Sequence, residues 1–357
     1  MRSRVASRRH AHDLAVARLS LVITLGLGLV VATAAPAAAH GSGAPASNWR
    51  TRILDVEPQV DELDIRVVDA GARLELSNRT DEEALVLGYE GEPYLRVGPD
   101  GVFENVHSAA TWSNRSRSGE APPDDVAVGP DVEPEWRRVS GGHTARWHDH
   151  RAHWMGEAPP AQVRADPDRT HLVSEWEVPI VLDDQTVVVR GDLTWVPGPG
   201  LLPWVAIGAA AAAAVLAVAA TLGRRAALLL GTAALLATDV VHGVGTAFDR
   251  PGGLGGRIGT LLGGSALSLV GWGLAVAALV LLVRRRPDGV VAAGLAAVVI
   301  ASTGGLLELA DLRSSQVPFA FPVDVARLVT VASIGLGIAV AGVVLLEVRR
   351  LPASRSQ

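Results

Sequence analysis

The chain contains no cysteine and no lysine, and only two of its 357 residues are methionine. Without cysteine it has no disulfide, no thiolate metal site, no blue-copper centre and no lipid-modified N-terminal cysteine. The methionines, Met1 and Met155, are too few for a thioether-rich Cu(I) site. If a metal binds, its ligands are therefore histidine, carboxylate, amide or the N-terminus.

Aromatic residues are also scarce, at 4% of the chain, whereas hydrophobic residues make up 49%. A mean hydropathy of +0.28 is too high for a soluble protein of this length, so a membrane part is expected. The stretch from 48 to 199 is polar, with 29 acidic residues against 15 arginines and a net charge of −14. A negative charge of this size repels the phosphate backbone of nucleic acids, which argues against a nucleic-acid partner.

Residues 1 to 39 have the three parts of a secretory signal peptide, namely an arginine-rich start, an apolar run and three alanines at 37–39. Cleavage after the last alanine would make His40 the N-terminus, where its α-amine and ring Nδ1 can hold one metal ion together. Cleavage two residues earlier would abolish this chelate. In that case His40 is an incidental residue of a flexible arm.

The stretch from 40 to 199 is expected to form an extracytoplasmic domain. From residue 48 onwards, short alternating runs separated by turn-forming residues predict an antiparallel β-sandwich of six to nine strands. Residues 116–134, rich in proline, aspartate and glycine, are expected to be a loop. The clearest runs are 63–67, 73–77 and 84–87, a hairpin of 94–97 with 102–105, and a second hairpin of 174–182 with 185–195.

Three of the ten histidines lie within six residues, in the segment from Trp147 to Trp154. Side chains two apart in a strand share a face, so a strand here would offer His148 and His150 as two imidazole ligands for one ion. His153 would then face the other way unless the strand ends or bulges. The alternative is a surface strand rich in arginine and histidine, with tryptophan packed behind it.

After residue 199 the composition changes to alanine, leucine, valine and glycine, and five apolar runs of bilayer-spanning length follow. Arginine pairs or triplets follow the first, third and fifth runs, which places those ends and the tail 349–357 in the cytoplasm. The β domain is then extracytoplasmic, on a plasma-membrane protein with a membrane domain from 200 to 348. The runs are 201–222, 226–248, 258–283, 290–312 and 325–346.

Two pairs of ionisable residues lie inside these runs, Asp239 with His242 and Glu308 with Asp311. Members of each pair are three apart, so on a helix they share a face. Charged groups in a membrane need partners or a hydrated cavity, which makes all four candidates for a polar cluster or proton relay. The alternative is that they pair with outer arginines or cap helix ends.

A secreted N-terminal histidine, a β-sandwich and a downstream His-x-His resemble two groups of extracytoplasmic copper proteins. These are the B subunit of particulate methane and ammonia monooxygenases and the periplasmic copper-resistance proteins. The resemblance implies a cupredoxin-like β-sandwich and copper ligation by His40, His148 and His150, but it covers these residues and the general plan only. The segments 88–95 and 191–197 also resemble a group of uncharacterised actinobacterial membrane proteins, which brings no assigned activity.

The sequence therefore leaves three functions open. The first is a membrane-anchored protein that binds Cu(II) through His40, His148, His150 and His153 and serves copper acquisition, delivery or resistance, with a copper chaperone as a possible partner. The second is a structural envelope protein whose β domain docks another component. The third is a small-ion or proton-coupled transporter that uses the intramembrane cluster. No ordered catalytic motif is present, so the sequence favours a role other than catalysis.

Overall fold

A computed structural model describes residues 45–116, 119–249, 253–263 and 266–349. The predicted signal peptide, His40 and the tail beyond Arg349 lie outside the described residues. The chain divides into two compact units. One, the β unit, contains residues 46–198 and 314–316, and the other, the helical unit, contains the apolar helices that follow.

The described part of the β unit has ten strands in two antiparallel sheets. One sheet has seven strands in the order β1-β10-β9-β4-β5-β6-β7, and the other has three in the order β2-β3-β8. Two short helices, α1 (Ala109–Ser113) and α2 (Ala161–Ala165), lie between strands. The strands are β1 (Trp49–Glu57), β2 (Leu63–Val68), β3 (Arg73–Asn78), β4 (Ala84–Leu87), β5 (Pro93–Gly98), β6 (Gly101–Asn105), β7 (Trp136–Ser140), β8 (Thr144–Trp147), β9 (His171–Leu182) and β10 (Gln185–Trp195).

Both predicted hairpins are confirmed, and in each the turn residues explain why the chain reverses. β5 and β6 are joined at Gly98 and Gly101, and Gly101 has φ +122° with no space for a Cβ against the carbonyl of Ser140. β9 and β10 are joined by the two-residue turn Asp183-Asp184, in which Asp183 has φ +50°. Loop character between 116 and 134 is also confirmed over the residues described there.

One hydrophobic core joins the two sheets of the β unit. Strand β9 shows how the sequence builds it, since Trp176, Val178 and Ile180 are buried while the alternating Glu175 and Glu177 are exposed. Leu74 and Leu76 on β3 and Trp147 on β8 belong to the same core. Burial of each such side chain stabilises the fold by about 1.5–3 kcal/mol.

Among the residues that the structure describes, the helical unit has five helices long and apolar enough to cross a membrane, as many as the predicted spans. The third run is covered by helices α5 and α6, and residues 264 and 265 between them lie outside the described residues. The fourth is less regular than expected, because its α-helix ends at Thr303 and a 3-10 helix follows over Leu306–Leu312. The helices are α3 (Leu201–Thr221), α4 (Arg224–Asp249), α5 (Leu254–Gly263), α6 (Ala266–Val283), α7 (Asp288–Thr303) and α8 (Val323–Val348).

Small residues let the spanning helices approach closely. A Cβ on Gly208 of α3 would lie 3.0 Å from the carbonyl oxygen of Val331 on α8, and a Cβ on Gly335 would collide with the backbone of Gly208.

At one end of the bundle, an arginine side chain bonds to the last carbonyl groups of a helix. Arg225 donates to the carbonyls of Leu282 and Val283 at 2.9 Å each, where unpaired carbonyls and the negative end of the helix dipole favour a cation.

Candidate functional site

The histidine-rich segment is not a continuous strand, so the expectation that His148 and His150 share a strand face is wrong. β8 ends at Trp147, and Asp149 caps a 3-10 helix that spans His150–Ala152 by accepting a hydrogen bond from the amide of Arg151 at 3.1 Å. The local pattern did not reveal this turn, because it depends on burial of Asp149 in the surrounding fold.

Asp149 is the anchor of the segment, with 0% of its surface exposed. Its carboxylate accepts from Trp147 Nε1 at 2.8 Å and from Arg151 Nε and Nη2 at 2.9 and 2.8 Å. Arg151 also donates to the carbonyl of Leu87 at 3.2 Å and lies over the ring of Tyr89 at 5.1 Å. Charge and hydrogen-bonding capacity are therefore matched inside the core, as a buried ion pair requires.

The turn brings together His148 and His153, a pair that the strand pattern did not predict. Both rings bond to the carbonyl oxygen of Ala72, His148 through Nδ1 at 2.7 Å and His153 through Nε2 at 2.6 Å. The ring centroids are 5.9 Å apart and the rings are perpendicular. Ala72 follows a turn in which Ala70 and Gly71 have φ of +52° and +96°, and this turn presents its carbonyl to both rings.

His148 is held as a neutral imidazole. Burial, followed by the charge of nearby Arg73, lowers the pKa of His148 to about 4. With the proton on Nδ1 donated to Ala72, the lone pair is on Nε2, where Arg73 Nε donates at 3.4 Å. A neutral ring with a fixed tautomer is the form of histidine that ligates a metal. The guanidinium beside it must move aside when a cation binds.

His150 points to another part of the β unit. Its Nε2 lies 3.2 Å from the carbonyl oxygen of Ser116, and its ring is 6.3 Å from that of Tyr89. His171 bonds to the carbonyl of Asp166 at 2.7 Å. Across the ranges that the structure describes, no three histidine or acidic side chains form a group that could hold a metal ion. A complete site at His148 and His153 thus requires a ligand from elsewhere, and His40 is the predicted one.

The helical unit brings the other predicted residues near one another. His242 on α4 and Glu308 in the 3-10 helix form a pair with 3.7 Å between Nε2 and Oε1. Asp311 is buried, and its main-chain oxygen accepts from Arg327 Nε at 3.3 Å. Arg327 also pairs with Asp324 at 2.6 Å. Glu308 and Asp311 owe this position to the 3-10 segment rather than to the α-helical face expected from their spacing.

Asp239 is completely buried on α4, one turn from His242. Its Oδ2 accepts from Trp272 Nε1 at 2.6 Å, and its Oδ1 lies against Gly304, where a Cβ would collide with it. Phe319 stacks on the ring of His242 at 6.2 Å. Trp272 and Phe319 were not identified from the sequence, since apolar residues are ordinary in a membrane helix. The Gly304-Gly305 pair, which could have indicated a helix end, was also missed.

Comparison of the chain with protein-family models, with curated proteins and with solved structures finds no match.

Proposed function

We propose that this multi-pass membrane protein binds copper on its β unit and acts in copper acquisition, delivery or resistance. The observation that carries the proposal is the pair His148 and His153, whose adjacent rings are both fixed by the carbonyl of Ala72. Such bonding of one ring nitrogen orients a histidine ligand and sets its tautomer. Imidazole nitrogens suit Cu(II), and a given set of nitrogen ligands binds Cu(II) more tightly than the other divalent metals of the first transition row.

The copper ligands in this proposal are the rings of His148 and His153 together with the α-amine and ring of His40. His150 is not a ligand. The proposal also includes signal-peptide cleavage before His40, a cupredoxin-like arrangement of the two sheets and an extracytoplasmic position for the β unit. The shared core of the two sheets supports the arrangement. The arginine-rich loops support the orientation. A copper chaperone is the proposed kind of partner.

The test is a Cu(II) titration of the full mature chain in detergent. His148→Ala and His153→Ala should each weaken binding at least tenfold, because each removes a nitrogen ligand. His171→Ala is the matched control, since that imidazole also bonds to a main-chain carbonyl in the β unit but lies apart from the pair. If His148→Ala and His153→Ala bind Cu(II) as tightly as the wild type and His171→Ala do, the proposed site is wrong. One alanine added before His40 should weaken binding if the terminal chelate contributes.

A second function has its own observation, the pair of His242 and Glu308 beside the buried Asp239. Ionisable side chains in a membrane-spanning bundle are costly, and where they occur they commonly mark ion pathways or proton relays. We infer a proton- or small-ion-coupled role for the helical unit.

In proteoliposomes with an entrapped pH dye, Glu308→Gln should abolish proton movement that the wild type supports. Glu347→Gln, which changes an acidic residue paired with Arg224 at 3.3 Å, should not. Identical traces for Glu308→Gln and wild type would remove this function.

A further inference from the structure

The turn between α6 and α7 holds three consecutive arginines. Arg284, Arg285 and Arg286 are exposed, and within the described chain they form no ion pair. The turn itself is tightly bonded, with Arg286 N donating to Leu281 O at 2.9 Å and Arg285 N to Leu282 O at 3.1 Å. This is the Schellman pattern of a helix C-terminus.

Arg285 occupies the left-handed position of that turn, with φ +57°. Glycine is the usual residue there, and any residue with a Cβ destabilises the turn by about 1–2 kcal/mol. An arginine at this position occupies the end of the bundle at the expense of local stability. The position therefore points to a use for the side chain.

A cavity of about 260 Å³ opens beside these arginines. Arg225, Arg285 and Arg286 line it, and Glu347 is its acidic residue. Glu347 is already paired with Arg224 at 3.3 Å, so its charge is compensated by a residue outside the lining. The cavity therefore carries a net positive charge.

The remaining wall of the cavity is apolar, with Leu228 of α4 and Val290 of α7 among its lining residues. Val283 and Leu346, at the same end of the bundle, are exposed apolar residues on spanning helices. Guanidinium groups above an apolar wall, at the end of membrane-spanning helices, match a phosphate group attached to acyl chains.

We propose that this cavity, the arginine pocket, binds the phosphate of an anionic phospholipid, with Arg285 and Arg286 contacting the phosphate and the acyl chains lying along Val283. Arg225 stays bonded to the carbonyls of Leu282 and Val283 at the C-terminal end of α6. By the positive-inside rule, the lipid would come from the cytoplasmic leaflet.

The test is native mass spectrometry of the full chain in neutral detergent with dioleoylphosphatidylglycerol, with dioleoylphosphatidylcholine, and with inorganic phosphate alone. Phosphatidylglycerol should remain bound where phosphatidylcholine does not. The double variant Arg285→Gln/Arg286→Gln should weaken phosphatidylglycerol binding roughly thirtyfold, the loss expected for two arginines at an anionic surface. Arg285→Lys/Arg286→Lys, which keeps the charge, should retain most of it.

Arg313→Gln is the control, because Arg313 is an exposed arginine after the 3-10 helix and does not line the pocket. Circular dichroism verifies that each variant is folded. Binding of inorganic phosphate that is lost in the double glutamine variant, without preference between the two lipids, would support the phosphate site and assign free phosphate as its source. Equal binding of both lipids by wild type and double variant, with no phosphate binding, overturns the proposal.

Discussion

Replacement of Asp149 tests how the histidine-rich segment is held. Asp149→Ala removes a fully buried carboxylate, leaves Arg151 charged and only partly exposed, and removes the acceptor of Trp147 Nε1. Loss of one partner of a buried ion pair typically destabilises a protein by about 3–5 kcal/mol. For a unit of this size each kcal/mol lowers the melting temperature by about 2–4 °C, so a fall on the order of 10 °C is expected.

The assay is tryptophan fluorescence of the full chain during heating in detergent, to which the β unit contributes seven of the nine tryptophans. Asp184→Ala is the matched control, since Asp184 is an exposed carboxylate in the turn between β9 and β10. Its expected effect is within about 0.5 kcal/mol. If Asp149→Ala lowers the melting temperature no more than Asp184→Ala, the ion pair does not hold the segment and the reasoning is wrong.

Three further predictions concern the metal pair, its pH dependence and the topology. Arg73→Gln should tighten Cu(II) binding up to about tenfold in the same titration, because it removes a positive charge 3.4 Å from His148 Nε2; unchanged or weaker binding would argue against Nε2 as a ligand. The pKa of His148 is about 4 in the folded protein against 6.5 for an ordinary histidine, so the unfolded chain takes up the proton first and stability falls as the pH drops from about 6.5 to 4. Melting curves at several pH values should show a smaller fall for His148→Gln, and an identical fall would contradict the burial of His148. A reporter active only in the cytoplasm should function when fused after Ser356 and fail after Gly198, and the reverse result would invert the proposed orientation.

The sequence predicted those parts of the fold that depend on neighbouring residues. The hairpin at Asp183-Asp184 and the five apolar helices follow from local turn chemistry and from hydropathy over about 20 residues. Such features need no information from distant segments. The end of α7 at Thr303 was not predicted, although Gly304-Gly305 interrupts the apolar run there.

The candidate sites could be predicted only in part, because distant residues decide their geometry. His148 pairs with His153 rather than sharing a strand face with His150, because Asp149 is buried by the surrounding fold and because both rings bond to the carbonyl of Ala72, which lies far away in the sequence. In the helical unit, intramembrane charge identified His242 and Glu308 as candidates. Their contact at 3.7 Å depends on the 3-10 segment, which spacing alone did not reveal.

The central claim is that His148 and His153 bind one copper ion. Pulsed electron paramagnetic resonance of the full mature chain loaded with one equivalent of Cu(II) counts the coordinated imidazoles directly. Signals from at least two imidazoles are expected in the wild type and in His150→Ala, with one fewer in His148→Ala and in His153→Ala. An imidazole count that is unchanged in both His148→Ala and His153→Ala would contradict the account.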